Sequence, residues 1–149
     1  MKIEGSHKIS ASRARVFEAL NDPAVLQKCI PGCESLEKTS ENHYNAKLSA
    51  GVGAIKSKFT ATVIISDLVA PSHYKLTVEG KGQPGFVKGS GDLSLEEFEG
   101  GTEIKYTGEV NVGGVIASVG QRMIQSTANM LAGKFFTALE SETKAESTP

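Results

Sequence analysis

One pattern runs through more than half of the chain: from residue 33 to residue 112, apolar and polar side chains alternate along one segment after another. A period of two is typical of β-strands that bury one face and leave the other in water. Turn-forming residues such as Gly100 and Gly101 separate the segments. The pattern predicts six antiparallel strands, at residues 33–39, 43–50, 55–65, 74–80, 87–95 and 102–112.

The segments on either side of this region complete the fold. Residues 2–9 also alternate and predict a first strand. Ser12 and Asp22 are N-cap residues, and Pro23 suits a first helical position, which predicts short helices at 13–20 and 23–29. Residues 115–142 contain no proline and carry an apolar stripe of helical period. The stripe comprises Ile116, Val119, Met123, Thr127, Met130, Leu131, Phe135 and Leu139.

One apolar face of an antiparallel sheet needs a cover, and only the C-terminal helix is long enough to provide it. We therefore expect an α+β fold in which a seven-stranded curved antiparallel sheet wraps around a long C-terminal helix, with two short helices after the first strand. The domain should span residues 1–142. Residues 143–149 are polar, and we expect them to form a disordered tail.

Composition excludes several classes of function. The 149 residues include 16 Lys and Arg against 17 Asp and Glu, so the net charge of −1 does not fit a strongly basic nucleic-acid binder. No segment has the ~18 apolar residues that a membrane span requires. The N-terminus lacks the apolar region of a signal peptide. These features predict a cytoplasmic protein.

Glycine is in excess, with 16 residues. Alternation places five of them on the apolar face of the strands, namely Gly5, Gly80, Gly89, Gly91 and Gly108. Glycine inside a strand marks either a bend or close approach, or a place where side chains leave room for a ligand. Both interpretations stay open at the level of sequence.

Few residues suggest chemistry. His7 lies on the apolar face of the first strand, either as a core histidine or as an acid–base group. Cys29 and Cys33 are spaced poorly for zinc, so they are either two reduced thiols or a redox pair. Arg122 either faces solvent or contacts a ligand head group. We predict no metal site and no catalytic constellation.

Several short motifs carry a family resemblance that covers roughly residues 1–140. They are VFEALNDP at 16–23, IPGCE at 30–34, GVGAIK at 51–56, GF at 85–86 with GSG at 89–91, VGG at 112–114 and ASVGQR at 117–122, with the spacing of Asp67, Pro71 and Tyr74. The order of elements resembles the helix-grip fold of the START/SRPBCC superfamily. The motifs resemble the carbon monoxide dehydrogenase CoxG-like family.

The resemblance implies a protein encoded beside molybdenum hydroxylases of the carbon monoxide dehydrogenase or xanthine dehydrogenase type. It implies recruitment of such an enzyme to the membrane and transport of an apolar ligand, with an isoprenoid quinone a strong candidate. We therefore expect a non-catalytic protein that binds a quinone or a fatty-acid or lipid-like molecule, with no covalent cofactor. Partners would be that molecule, a molybdenum hydroxylase complex and, transiently, the inner face of the cell membrane.

Two alternatives stay open, an enzyme of the same superfold (a cyclase or hydratase) that uses His7, and a recruitment factor with a vestigial pocket. The sequence does not indicate an oligomeric state. The expected pocket is lined by Phe59, Val63, Leu76, Gly80, Phe86, Gly89, Gly91, Tyr106, Gly108, Val119, Met123, Thr127 and Met130. Two loops are expected to gate it, with Phe86 as an apolar plug; their residues are Gly51, Gly53, Gly82, Pro84 and Gly85.

Overall fold

The structure is a computed structural model that describes residues 1–52 and 54–147. It contains the predicted elements in the predicted order. In chain order they are β1 (Lys2–Ile9), α1 (Arg13–Leu20), α2 (Pro23–Cys29), β2 (Cys33–Ser40), β3 (His43–Val52), β4 (Ile55–Val69), β5 (His73–Gly82), β6 (Gly85–Phe98), β7 (Gly101–Gly114), a 3-10 helix (Val115–Val119) and α3 (Gln121–Ser147).

The two short helices begin where their capping residues predict. The Ser12 side chain accepts a hydrogen bond from the Arg15 amide at 3.2 Å. Asp22 accepts one from the Ala24 amide at 3.0 Å, and Pro23 occupies the first turn of α2. Each cap satisfies an amide that has no partner inside its helix. The bend between α1 and α2 is therefore fixed by local sequence.

All seven strands form one antiparallel sheet in the order β1-β7-β6-β5-β4-β3-β2. Consecutive strands from β2 to β7 are neighbours, whereas β1 pairs with β7 and leaves β1 and β2 as the two edges. Burial alternates along the strands as predicted, so that odd positions of β4 and β6 and even positions of β5 and β7 face the helices. We call this surface the inner face of the sheet.

The inner face has a closed end, which is packed, and an open end, which is not. Closed-end side chains are fully buried against α1, α2 and the C-terminal half of α3. They are Ile9, Tyr44, Ile65, Tyr74, Leu93, Leu95 and Ile104. Each large apolar side chain buried there contributes roughly 1.5–3 kcal/mol. The closed end therefore forms the core that holds the domain together.

Open-end side chains are apolar and inward-facing but remain only half-buried, and they do not belong to the core cluster. They are Ile3, Leu48, Val52, Ile55, Val78, Val87, Val110 and Val112. The sheet and α3 thus cover each other fully at one end of the fold only.

The C-terminal helix differs from its prediction at both ends. Residues 115–119 form a separate 3-10 helix, because Gly120 has a φ of 93° and interrupts the helical backbone. α3 begins at Gln121 and continues through Ser147, so the tail expected to start at Thr143 starts later. Thr143 is buried, and its hydroxyl donates to the Leu139 and Glu140 carbonyls. Residues 148 and 149 lie outside the described residues.

Candidate functional site

The open end of the inner face forms an apolar groove with the N-terminal half of α3. Three half-buried residues of α3, Ile124, Ala128 and Leu131, continue the helical stripe that is buried further along at Phe135 and Leu139. They face the open-end side chains of the sheet. Because neither surface is fully buried by the other, apolar area remains available to a further molecule between them. We call this space the groove.

Most residues of the expected pocket do face inward. Eight lie on the inner face, namely Phe59, Val63, Leu76, Gly80, Gly89, Gly91, Tyr106 and Gly108. Val63, Leu76 and Tyr106 pack against the core cluster and close the inner end of the groove. Phe59 is 9% exposed and lies over Gly82, where an added Cβ would meet the Phe59 ring at 2.7 Å.

Phe86 is placed differently from its prediction. β5 and β6 pair as far as Gly82 and Gly85, so Phe86 belongs to a strand and alternation turns it to the outer face. There its ring lies against Gly113, its partner on β7, with Lys88 Nζ 5.7 Å from the ring centroid. Phe86 therefore does not plug the groove from within. The expected gate at 82–86 is a tight turn, tied to the 3-10 helix by a 2.9 Å hydrogen bond from the Ile116 amide to the Pro84 carbonyl.

Met123 and Met130 also lie outside the groove. They are 44% and 49% exposed and occupy a flank of α3, where Met130 borders His7. The predicted stripe begins at Ile116 and Val119, which belong to the separate 3-10 helix, so its phase is wrong at the start of α3. The residues missed for this reason are Ile124, Ala128 and Leu131, and the signal for them was the glycine at position 120.

The remaining expected residues lie at the open end. Val119 is half-buried in the 3-10 helix, and the Thr127 hydroxyl donates to the Met123 carbonyl at 2.9 Å. Gly51 lies in the β3–β4 hairpin, beside a cleft of about 430 Å³ that includes the inward-facing Ala50 and Ser57. Gly53, the other expected gate residue of that hairpin, lies outside the described residues.

The inward glycines serve different purposes. Gly91 and Gly108 face each other across β6 and β7, and a Cβ on either would approach a backbone oxygen within 2.8 Å. These two therefore permit close strand approach rather than a cavity. At Gly5 the space is filled by the Tyr106 ring. Only at Gly80, of the five inward glycines, would an added Cβ have no neighbour closer than 4.0 Å, so Gly80 leaves room in the groove.

Groups able to do chemistry are isolated from one another. The His7 ring stacks on Phe136 with centroids 5.6 Å apart. Burial raises the pKa of the Cys29 thiol to about 11, and the pKa of the half-buried Cys33 also lies above its usual value. Both thiols are free. Within residues 1–52 and 54–147, no three histidine, cysteine or acidic side chains come together as a metal site.

The rim of the groove combines cations with exposed apolar side chains. Residues 51–57, 81–89 and 112–123 contain no Asp or Glu but carry four cations, which are Lys56, Lys81, Lys88 and Arg122. Exposed among them are Val115 at 62%, Met123 at 44% and Phe86 at 40%. No helix in the described part of the chain is long and apolar enough to cross a membrane.

Comparison with known proteins identifies the sequence family. The family model for the carbon monoxide dehydrogenase protein CoxG matches residues 5–144. No sequence among the curated proteins matches the chain.

Solved structures extend the comparison to the fold. A conserved protein from Geobacillus kaustophilus is 38% identical, with a TM-score of 0.93 over 97% of this chain and 96% of that one. The Zhui aromatase/cyclase from Streptomyces sp. R1128 is 12% identical, with a TM-score of 0.67 over 97% and 93%. Ara h 8.0201 is 20% identical, with a TM-score of 0.70 over 97% and 98%. At these lower identities the similarity concerns the fold alone, which the three structures share with this chain.

Proposed function

The chain belongs to the carbon monoxide dehydrogenase CoxG family, and on that premise we propose that it binds an apolar, quinone- or lipid-like molecule in the groove. One observation carries the proposal. Eight inward-facing apolar side chains at the open end of the sheet stay half-buried, while their counterparts at the closed end are buried completely. A ligand between the sheet and α3 would remove that apolar area from water.

The groove favours a ligand that is recognised by burial. Its walls are mainly Val, Ile and Leu side chains, and each CH2 group transferred from water contributes about 0.8 kcal/mol. A long hydrocarbon or isoprenoid chain can therefore bind without many hydrogen bonds. Thr127 and Ser57 supply a few hydroxyls near the open end, where the polar head of such a molecule would lie.

The rim supports ligand exchange at a membrane. Val115, Met123 and Phe86 expose apolar surface, and the cations around them are attracted to anionic lipid head groups. A peripheral contact of this kind at the inner face of the cell membrane places the mouth of the groove against the source of an apolar ligand. No helix needs to be inserted for this contact.

We assign the protein a non-catalytic, accessory role. The family is named for carbon monoxide dehydrogenase, and this supports a partner enzyme of the molybdenum hydroxylase type. In this role the protein carries its ligand between membrane and enzyme, or recruits the enzyme to the membrane. Accessory binding is favoured over His7-based catalysis because the His7 ring stacks on Phe136, whereas an acid–base histidine is usually oriented by a carboxylate.

Filling the groove at Gly80 tests the binding proposal. Gly80 faces inward with free space around it, so Gly80→Leu should fold while occupying ligand volume. Glu79→Leu places the same side chain on the outer face of the same strand and serves as the matched control. With the fluorescent fatty acid cis-parinaric acid as probe, we expect Gly80→Leu to weaken binding by at least about tenfold.

The control should bind as the wild type does, and an added quinone should displace the probe. Equal affinity of Gly80→Leu, Glu79→Leu and wild type would contradict a ligand site in the groove. Circular dichroism of each variant establishes that the fold is retained.

A further inference from the structure

The first strand has a backbone edge that no other strand covers. β1 pairs only with β7. Met1 and Val110 exchange two hydrogen bonds, from the Met1 amino group at 3.0 Å and from the Val110 amide at 2.8 Å. Hydrogen-bonded and non-hydrogen-bonded pairs alternate along an antiparallel ladder. Odd residues of β1 therefore bond to β7, and the backbone groups of even residues point toward the free edge.

Helix α3 runs beside this edge and is attached to it at two points. Gln125 Nε2 donates to the Lys2 carbonyl at 3.4 Å, and the Ser10 amide donates to Glu140 Oε2 at 3.3 Å. Both backbone groups belong to even residues, as the alternation requires. Between these two points, the backbone amides and carbonyls of three further even residues have no partner among the described residues. These residues are Glu4, Ser6 and Lys8.

A cleft accompanies the unpaired part of the edge. It has a volume of about 470 Å³ and lies between His7 and one side of α3. The helix contributes Asn129, Met130, Gly133, Lys134, Thr137, Ala138 and Ser141. A Cβ added to Gly133 would have no neighbour within 4 Å, so the helix wall is recessed at this point. The edge is therefore accessible beneath the helix rather than sealed by it.

The unpaired charge in this region is positive. Glu4 lies 3.8 Å from Lys2, and Glu140 accepts from the Ser10 amide. Lys134 is exposed, and no carboxylate in the described part of the chain lies within ion-pair distance of it. An acidic group entering the cleft would therefore meet a cation that has no competing partner.

We propose that the free edge of β1 binds an extended acidic segment of a partner protein as an eighth strand beside α3. Unpaired strand edges recognise extended peptides through backbone hydrogen bonds, and neighbouring pockets select the side chains. The span from Glu4 to Lys8 is ~13 Å at 3.3 Å per residue, which suits a segment of about five residues. An acidic side chain of that segment pairs with Lys134. This site is separate from the groove and does not depend on the apolar ligand.

A library of random nine-residue peptides, panned on the full-length protein, tests the proposal directly. Ser6→Pro is the key variant because its missing amide points to the free edge, so proline removes an edge donor without breaking the pairing with β7. Ser6→Ala keeps the amide and is the matched control. We expect enriched peptides to carry an acidic residue and to bind Ser6→Pro at least about tenfold more weakly than wild type or Ser6→Ala.

Two further variants examine the cleft without relying on the strand. Gly133→Leu should fold, since space is free around Gly133, and should block the cleft. Lys134→Glu should weaken binding by about tenfold, whereas the same charge reversal at Arg122 should not. In hydrogen-exchange measurements, the amides of Glu4, Ser6 and Lys8 should exchange fast in the free protein and become protected when an enriched peptide binds.

The proposal is overturned if panning enriches the same peptides on wild type and on Gly133→Leu, or if peptides bind without protecting these three amides. It is also overturned if the amides become protected on concentration of the protein alone, since the edge would then pair with a second copy of the chain. An enriched pool without acidic residues would contradict the assigned partner chemistry.

Discussion

Gly5 and Tyr106 share one space on the inner face of the sheet, and their fit shows how a single glycine shapes the fold. The two residues are opposite each other on β1 and β7. The Tyr106 ring lies over Gly5 and stacks on Phe136 of α3, with centroids 5.6 Å apart. A side chain at position 5 would occupy the place of this ring. Gly5 is thus a packing residue, not a cavity residue.

Gly5→Ala should therefore destabilise the domain. Its Cβ would meet Tyr106 Oη at 2.5 Å, and displacing a well-packed ring costs roughly 1–3 kcal/mol. Gly133→Ala is the control, because free space around a helical glycine makes alanine favourable by roughly 0.5–1 kcal/mol. Urea denaturation measures both changes. A Gly5→Ala protein as stable as wild type would show that the ring does not require glycine at this position.

The two thiols should differ in reactivity. Burial raises the pKa of Cys29 to about 11, and nearby Glu142 adds to the effect. Cys33 is half-buried, and its pKa is raised mainly by burial. Since the thiolate is the reactive form, a disulfide reagent such as DTNB at pH 8 should modify Cys33 first and Cys29 only slowly.

The variant Cys33→Ser isolates the slow thiol. Its reaction should accelerate as the pH rises toward 10, because more of the Cys29 thiol is then ionised. Fast reaction of Cys29 in this variant at pH 8, at the rate of an unfolded thiol, would contradict the burial described here.

At the scale of elements, the sequence predicted what local patterns determine. Alternation identified the strands and their inner faces, and capping residues identified α1 and α2. Phe86 and Met130 were misplaced for physical reasons that alternation and helical period do not contain. Extension of β5 and β6 to the turn placed Phe86 on the outer face, and the break at Gly120 changed the phase of α3. Both errors arose at element boundaries, where tertiary pairing decides the structure.

The break at Gly120 can be tested by substitution. Its φ of 93° and ψ of 155° form a conformation that is nearly restricted to glycine, although no atom lies within 4 Å of an added Cβ. Gly120→Ala should therefore cost roughly 1–3 kcal/mol of unfolding free energy through backbone strain alone. If Gly120→Ala is as stable as wild type or more stable, residues 115–142 form one continuous helix, as the apolar stripe alone predicts.

At the scale of the whole molecule, the fold separates stability from binding. The closed end buries the core of the sheet against all three helices, whereas the open end leaves apolar walls half-covered and a cationic, apolar rim around them. Such a division lets one end change its occupant without unfolding the other. The family could be recognised from motifs spread along the chain, but the ligand could not, because burial selects for apolar volume rather than for one chemical structure.

The most direct test of this account is mass spectrometry of the protein purified gently from cells that make quinones and lipids. The native complex should exceed the mass of the polypeptide by that of one apolar molecule, and organic extraction should release a long-chain quinone, fatty acid or lipid. Gly80→Leu should carry less of it than Glu79→Leu. A protein that always has the mass of the polypeptide alone, even after incubation with membranes, would contradict the central claim.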